Sequence, residues 1–180
     1  GIVSIKDVRM PISAESYLGE EGDGLIVAQT FLHENRIRQA ASSVGAAQFC
    51  VDEAVNYAKQ RTTWGKSLAT NQAIQFPLTE LHTEAEMVRN LVHKTAWNLD
   101  QHNHMAVTEQ VSMANYRANR LVCEASDRAM QVFGGEGYTR NRPFEHIYRH
   151  HRRYRITEGA EEIQIRKIAG HLFGFLGKNR

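Results

Sequence analysis

The feature that most constrains this chain is apolar residues at helical spacing, sustained over three long stretches. From Leu25 the residues Ala28, Leu32, Ala40, Val44, Ala47, Val51 and Val55 form one stripe, until Arg61-Thr62-Thr63-Trp64-Gly65 breaks it. In the second stretch Ile74, Leu78, Leu81, Ala85, Val88, Val92, Ala96 and Leu99 recur at three- and four-residue steps. Pro77 lies within its first turns, where the missing N–H kinks or delays a helix rather than abolishing it. The third runs through Val107, Val111, Ala114, Ala118, Leu121, Ala125, Ala129 and Val132, and Gly134-Gly135-Glu136-Gly137 stops it. After a short piece around Pro143 to Arg149, a last helix is predicted from about Ala160 through Ile163, Ile168 and Leu172 toward Phe175. Four helices with short connections predict an all-α fold, an antiparallel up-and-down four-helix bundle.

The start does not share this pattern. Residues 1–22 alternate apolar and polar, carry Pro11 and close on Gly19 and Gly22, which reads as a strand and then a loop. Such a strand has no partner in the rest of the chain, so residues 1–22 are expected to be the tail of a preceding β-domain and its linker, and 23–180 the helical domain. The opening at Gly1 without an initiating Met suggests a fragment or a trimmed chain.

Composition removes several classes of function. A net charge of +2 gives no long-range attraction for nucleic acid or membrane, and no apolar run reaches the roughly 20 residues that span a bilayer. Cys50 and Cys123 both sit beside apolar residues, which suits reduced, buried thiols in a reducing compartment. Glu-x-x-His, the motif of a bundle di-iron site, does not occur, and Asp100 and His104 fall in a polar run that ends a helix.

A few segments carry chemistry. Gly134-Gly135-Glu136-Gly137 can cradle a phosphate with its N–H groups or simply cap a helix. Arg61-Thr62-Thr63 offers a guanidinium and two hydroxyls to a pyrophosphate, as many surface loops do. Arg149-His150-His151-Arg152-Arg153-Tyr154-Arg155 is the densest basic run, but its apolar neighbours Ile147, Tyr148 and Ile156 point to packing, which leaves nucleic acid a poor fit. In Ile156-Thr157-Glu158-Gly159, Thr157 can cap the last helix, with Glu158 near its start and favoured there by the helix dipole.

Taken in order, Arg61-Thr62-Thr63-Trp64-Gly65-Lys66, Asn71-Gln72-Ala73-Ile74-Gln75-Phe76, Gln131-Val132-Phe133-Gly134-Gly135-Glu136-Gly137-Tyr138 and Ile156-Thr157-Glu158-Gly159 resemble the C-terminal half of acyl-CoA dehydrogenases. The resemblance extends over essentially the whole chain and implies a homotetramer with one FAD per subunit. It implies that Arg61, Thr62, Thr63, Asn71 and Gln72 contact FAD. Gln131, Val132, Phe133, Gly134 and Gly135 would meet the adenosine diphosphate part of FAD from a neighbouring subunit. Ala160 stands where an FAD-contacting Thr is usual, which removes one hydroxyl, whereas Glu162 agrees with a common family choice.

By the same resemblance Glu158 is the catalytic base and Gly159 the glycine that lets the acyl thioester lie close. Glu158 would take the α-proton while the β-hydride passes to flavin N5, giving the trans-2-enoyl-CoA. The negative charge on the thioester oxygen would be met by the N–H of Glu158 and a ribityl hydroxyl. His33, Glu34, Asn35 and Arg36 would line the substrate's way in. Some relatives carry the base at the position of Asn35, which here is an amide. Thr157 replaces a frequent aromatic beside the base. An electron-transferring flavoprotein is the implied electron acceptor, and bacterial cytosol or mitochondrial matrix the implied location. Two alternatives stay open: a flavin oxidase or monooxygenase on the same scaffold, and a DNA-binding, non-catalytic relative using Arg152, Arg153 and Arg155.

Overall fold

The computed structural model describes residues 2–11, 13, 16 and 18–175. Among them are five α-helices: α1 Gly24–Gln60, α2 Gln72–Gln101, α3 Thr108–Phe133, α4 Phe144–Arg152 and α5 Glu161–Leu172. A two-residue hairpin, β1 Thr62–Thr63 against β2 Lys66–Ser67, turns α1 into α2. Its tip is Trp64-Gly65, both at positive φ, where Gly65 carries no steric cost.

The long helices form the expected all-α bundle, and α3 is its centre, packed on every other helix. Its apolar stripe from Val111 to Val132 is buried throughout. Short connections make α1 and α2, and α2 and α3, antiparallel, and an ion pair from Arg117 to Glu84 joins the second pair. α1 and α3 therefore run parallel. Asn115 bonds Gln39, Ser43 bonds Asn119, and Phe133 stacks on Tyr57 with ring centroids 4.1 Å apart, each pair separated by 76 residues. Ala40, Ala47, Ala54, Ala114 and Ala118 are fully buried, which lets the two backbones approach closely.

Residues 2–11 pair with no other strand among the described residues. Three expectations need correction. The piece after Pro143 is a fifth helix, α4, nine residues long and too short to declare itself by period. α1 outruns its neighbours at its start, so Ala28 is exposed along with Leu25, Ile26 and Phe31. Finally, α5 is turned about: it buries Glu161 and Gln164 one turn apart, while Ile163 and Leu172 face outward. Pro77 is accommodated inside α2. Cys50 and Cys123 are free and buried, and burial pushes the Cys50 thiol up to about 12, so it stays protonated.

Candidate active site

Glu158 lies in the turn that joins the single 3-10 turn Arg153–Arg155 to α5. Its φ is 58° and that of Gly159 is 97°, so two consecutive residues sit in the left-handed region. For a glutamate this costs about 1–2 kcal/mol and persists only where the surroundings hold it. They do so from three sides. Arg36 of α1, 3% exposed, donates from Nε (3.1 Å) and Nη2 (2.5 Å) to the Glu158 carbonyl. Gln164 of α5, wholly buried, donates from Nε2 to the Gly159 carbonyl at 3.0 Å. Asn119 of α3 donates to the Tyr154 carbonyl at 3.1 Å, tying the preceding turn to the bundle. A Cβ on Gly159 would stand 3.1 Å from Gln164 Nε2 and 3.4 Å from Arg36 Nη2, so glycine is needed both for space and for its φ.

The carboxylate itself is half-buried. Asn35 Nδ2 donates to Glu158 Oε1, whereas Oε2 is buried without a partner. Burial raises the Glu158 pKa above the ordinary carboxylate value, and the positive charges of Arg36 and Arg38 oppose that rise. Arg36 spends its fork on the backbone rather than on this carboxylate, and its Nη1 is buried and unpartnered.

The other residues of the expected substrate route divide. His33 is 1% exposed, with neither ring nitrogen hydrogen-bonded, and its ring stacks on His104 at 6.3 Å. Burial, aided by the charges of Arg36 and Lys167, lowers its pKa to about 4 and keeps it neutral. Glu34 is exposed and lines a cleft between α1 and α2 with Phe31, Ile37 and Arg38. It makes no hydrogen bond to Glu158 among the described residues. Thr157 caps nothing: the N-cap of α5 is Ala160, and Thr157 is exposed. Glu162 is exposed in the first turn of α5.

The residues expected at FAD gather elsewhere. Arg61, Thr62, Thr63 and Gln72 are exposed around the hairpin, and Asn71 uses its side-chain oxygen to cap α2 through Ala73 N at 2.9 Å. Gln131, Gly134 and Gly135 are exposed at the end of α3, but Val132 and Phe133 are core residues that can offer a ligand only their backbone. The Tyr57–Phe133 stack puts both sets at one end of the bundle. At 1.5 Å per residue, the 25 residues of α1 from Arg36 to Arg61 place that end about 37 Å from the Glu158 turn.

Sequence reading missed Glu161. Its carboxylate, 9% exposed, accepts from Arg155 (2.8 Å) and from Arg120 of α3 (3.2 Å), and these hydrogen bonds hold its pKa at about 2. The signal was available as an acid two residues beyond the glycine and an arginine next to Asn119 on α3. A carboxyl whose folded pKa lies below its unfolded value stabilises the fold above about pH 4.5 and loses that contribution as pH falls toward 2. Glu161→Gln is therefore expected to cost about 2–3 kcal/mol at pH 7 and much less near pH 2.5, read by urea unfolding at both pH values. An equal loss at both would show that the ion pairs contribute nothing.

Residues 22–173 match the family model for the acyl-CoA dehydrogenase C-terminal domain. An acyl-CoA dehydrogenase of Bacillus subtilis is 39% identical over 158 residues, covering 87% of this chain and 41% of that protein. Butyryl-CoA dehydrogenase from Megasphaera elsdenii superposes with a TM-score of 0.83 at 33% identity, over 89% of this chain and 42% of that one. Glutaryl-coenzyme A dehydrogenase in its glutaryl-CoA complex superposes with a TM-score of 0.84 at 31% identity, over 93% and 42%. The chain thus spans about two fifths of the length of these relatives. With its helical bundle and its Glu158-Gly159 turn in place, the chain belongs to the acyl-CoA dehydrogenase family and matches its C-terminal domain.

Proposed function

We propose that this chain is the C-terminal part of an FAD-dependent acyl-CoA dehydrogenase in which Glu158 removes the substrate's α-proton. One observation carries this: a carboxylate oxygen, Oε2, is left buried and unpartnered in a strained turn whose backbone is fixed by an arginine. A thioester acidifies its α-carbon only modestly, so the base needs a carboxylate destabilised by burial yet not paired with a cation. Burial meets the first need, and Arg36 serves the second by binding the carbonyl instead of the carboxylate. Among the described residues the Glu158 N–H donates to no acceptor, so it is free to meet the thioester oxygen as charge gathers there.

The exposed groups fit the cofactor. Arg61 with Thr62 and Thr63 suits a pyrophosphate, and Gly134 (φ 63°) and Gly135 have open space where a Cβ would stand, so a ligand can approach their backbone. Asn71, Gln72, Gln131, Ala160 and Glu162 complete the proposed contacts, with Val132 and Phe133 contributing backbone only. FAD, when bound, supplies the acceptor for the β-hydride. The separation of about 37 Å between this end and Glu158 favours a flavin held between two copies of the chain, and hence the homotetramer. Exposed Leu25, Ile26, Ile163 and Leu172 leave apolar surface for such neighbours. Within the basic run Arg155 is committed to Glu161.

The test is anaerobic mixing of the FAD-loaded protein with acyl-CoAs of graded length and branching. At least one is expected to bleach the flavin with formation of the 2-enoyl-CoA. Reoxidation by an electron-transferring flavoprotein is expected, whereas fast reoxidation by oxygen would indicate an oxidase, and failure to bleach with the whole panel would overturn the proposal.

A further inference from the structure

We infer that Asn35 is the positioning residue of Glu158: its side-chain amide fixes Oε1 and thereby presents Oε2 as the oxygen that takes the proton. The inference rests on the reading of Glu158 as the base. It departs from the expectation that Asn35 lines the substrate's route. Asn35 is the only group among the described residues that donates to the Glu158 carboxylate, and it reaches across from α1 to do so. Two adjacent α1 residues divide the work by charge. Arg36, the cation, holds the backbone, and Asn35, the neutral donor, holds the side chain.

That division has a chemical reason. A cation on the carboxylate would stabilise the charged form strongly and blunt the base, whereas an amide orients one oxygen at a smaller cost in basicity. The charges facing Glu158 are Arg36 and Arg38 of α1, with Lys167 of α5 beside Arg36. Guanidinium groups keep their charge over the range of a kinetic profile. His33, next to Arg36, titrates near 4 and does not touch Glu158.

Asn35→Leu keeps the branched shape of the side chain and deletes the donor. In the holoenzyme, the acidic limb of kcat/KM against pH is expected to move up by about one unit, because the charged form of Glu158 loses a hydrogen bond. On the alkaline plateau kcat is expected to fall about 10-fold, with KM within about 2-fold of wild type. Asn35→Ala, which only trims a helical side chain, is expected to behave alike and keeps the test available if the leucine variant fails to fold. Should KM rise while the limb stays put, Asn35 is a substrate contact and the inference is wrong. An unmoved limb with unchanged kcat also refutes it. Glu158→Gln is run in parallel: if that variant turns over, the base assignment itself fails, whereas an inactive Glu158→Gln beside an unmoved Asn35→Leu limb refutes only the role of Asn35.

Discussion

Glu158→Gln in the FAD-loaded enzyme is expected to lower turnover about 10³–10⁴-fold, the range that a positioned general base contributes. The glutamine oxygen can still accept from Asn35 Nδ2, and the backbone hydrogen bonds from Arg36 and Gln164 do not involve the side chain. Fold and flavin binding are therefore expected to survive, as read by the flavin spectrum and the melting temperature. What the variant lacks is a lone pair of useful basicity, since an amide cannot take an α-proton. The loss should fall on kcat with KM little changed, because the substitution removes a group used in the transition state.

Arg36→Leu is expected to be the next most damaging change, lowering kcat about 100-fold. Arg36 supplies both short hydrogen bonds to the Glu158 carbonyl, and without them only Gln164, at 3.4 Å, reaches that oxygen. A glutamate at φ 58° is then free to relax toward an ordinary conformation, and displacement of a base by about 1 Å can cost that factor. The pH profile should change with it. The Arg36 charge favours ionised Glu158, so its deletion raises the Glu158 pKa and moves the acidic limb upward. Stability should change far less than activity. Arg36 sits beside Lys167, whose pKa it lowers, so its removal relieves repulsion while it breaks the clamp. Arg36→Lys is not expected to rescue, because an ammonium cannot offer two donors in a fork to one carbonyl. Near-normal kcat with an unmoved limb in Arg36→Leu would mean that the turn holds itself.

The contrast between α3 and α5 shows what the sequence could reveal. Along α3 every residue of the stripe from Val111 to Val132 is buried, because a central helix has no face to spare and its period reports burial directly. α5 has the same kind of pattern and the opposite orientation. Twelve residues cannot bury enough apolar surface to set their own facing, and the Glu161 pairing with Arg120 and Arg155, together with Gln164 under the turn, sets it instead.

Glu158 stands out in the sequence only through family resemblance, because the residues alone favour a plain helix-start acid. Its distinguishing geometry comes from contacts with Asn35 and Arg36, which lie 123 and 122 residues away in sequence and leave no local trace. The same holds for His33, Glu34 and Asn35, three consecutive residues that meet His104, a cleft beside α2, and Glu158 respectively. Consecutive helix positions are about 100° apart, so a sequence run that looks like one lining serves three surroundings.

Exchange of the α-protons of a bound acyl-CoA into D2O isolates proton removal from everything that follows it. In holoenzyme whose flavin has been reduced beforehand, so that no hydride can leave, recovered acyl-CoA is expected by mass spectrometry to gain α-deuterium with wild-type protein and to stay unlabelled with Glu158→Gln. Labelling by Glu158→Gln at the wild-type rate would contradict the assignment of Glu158 as the base.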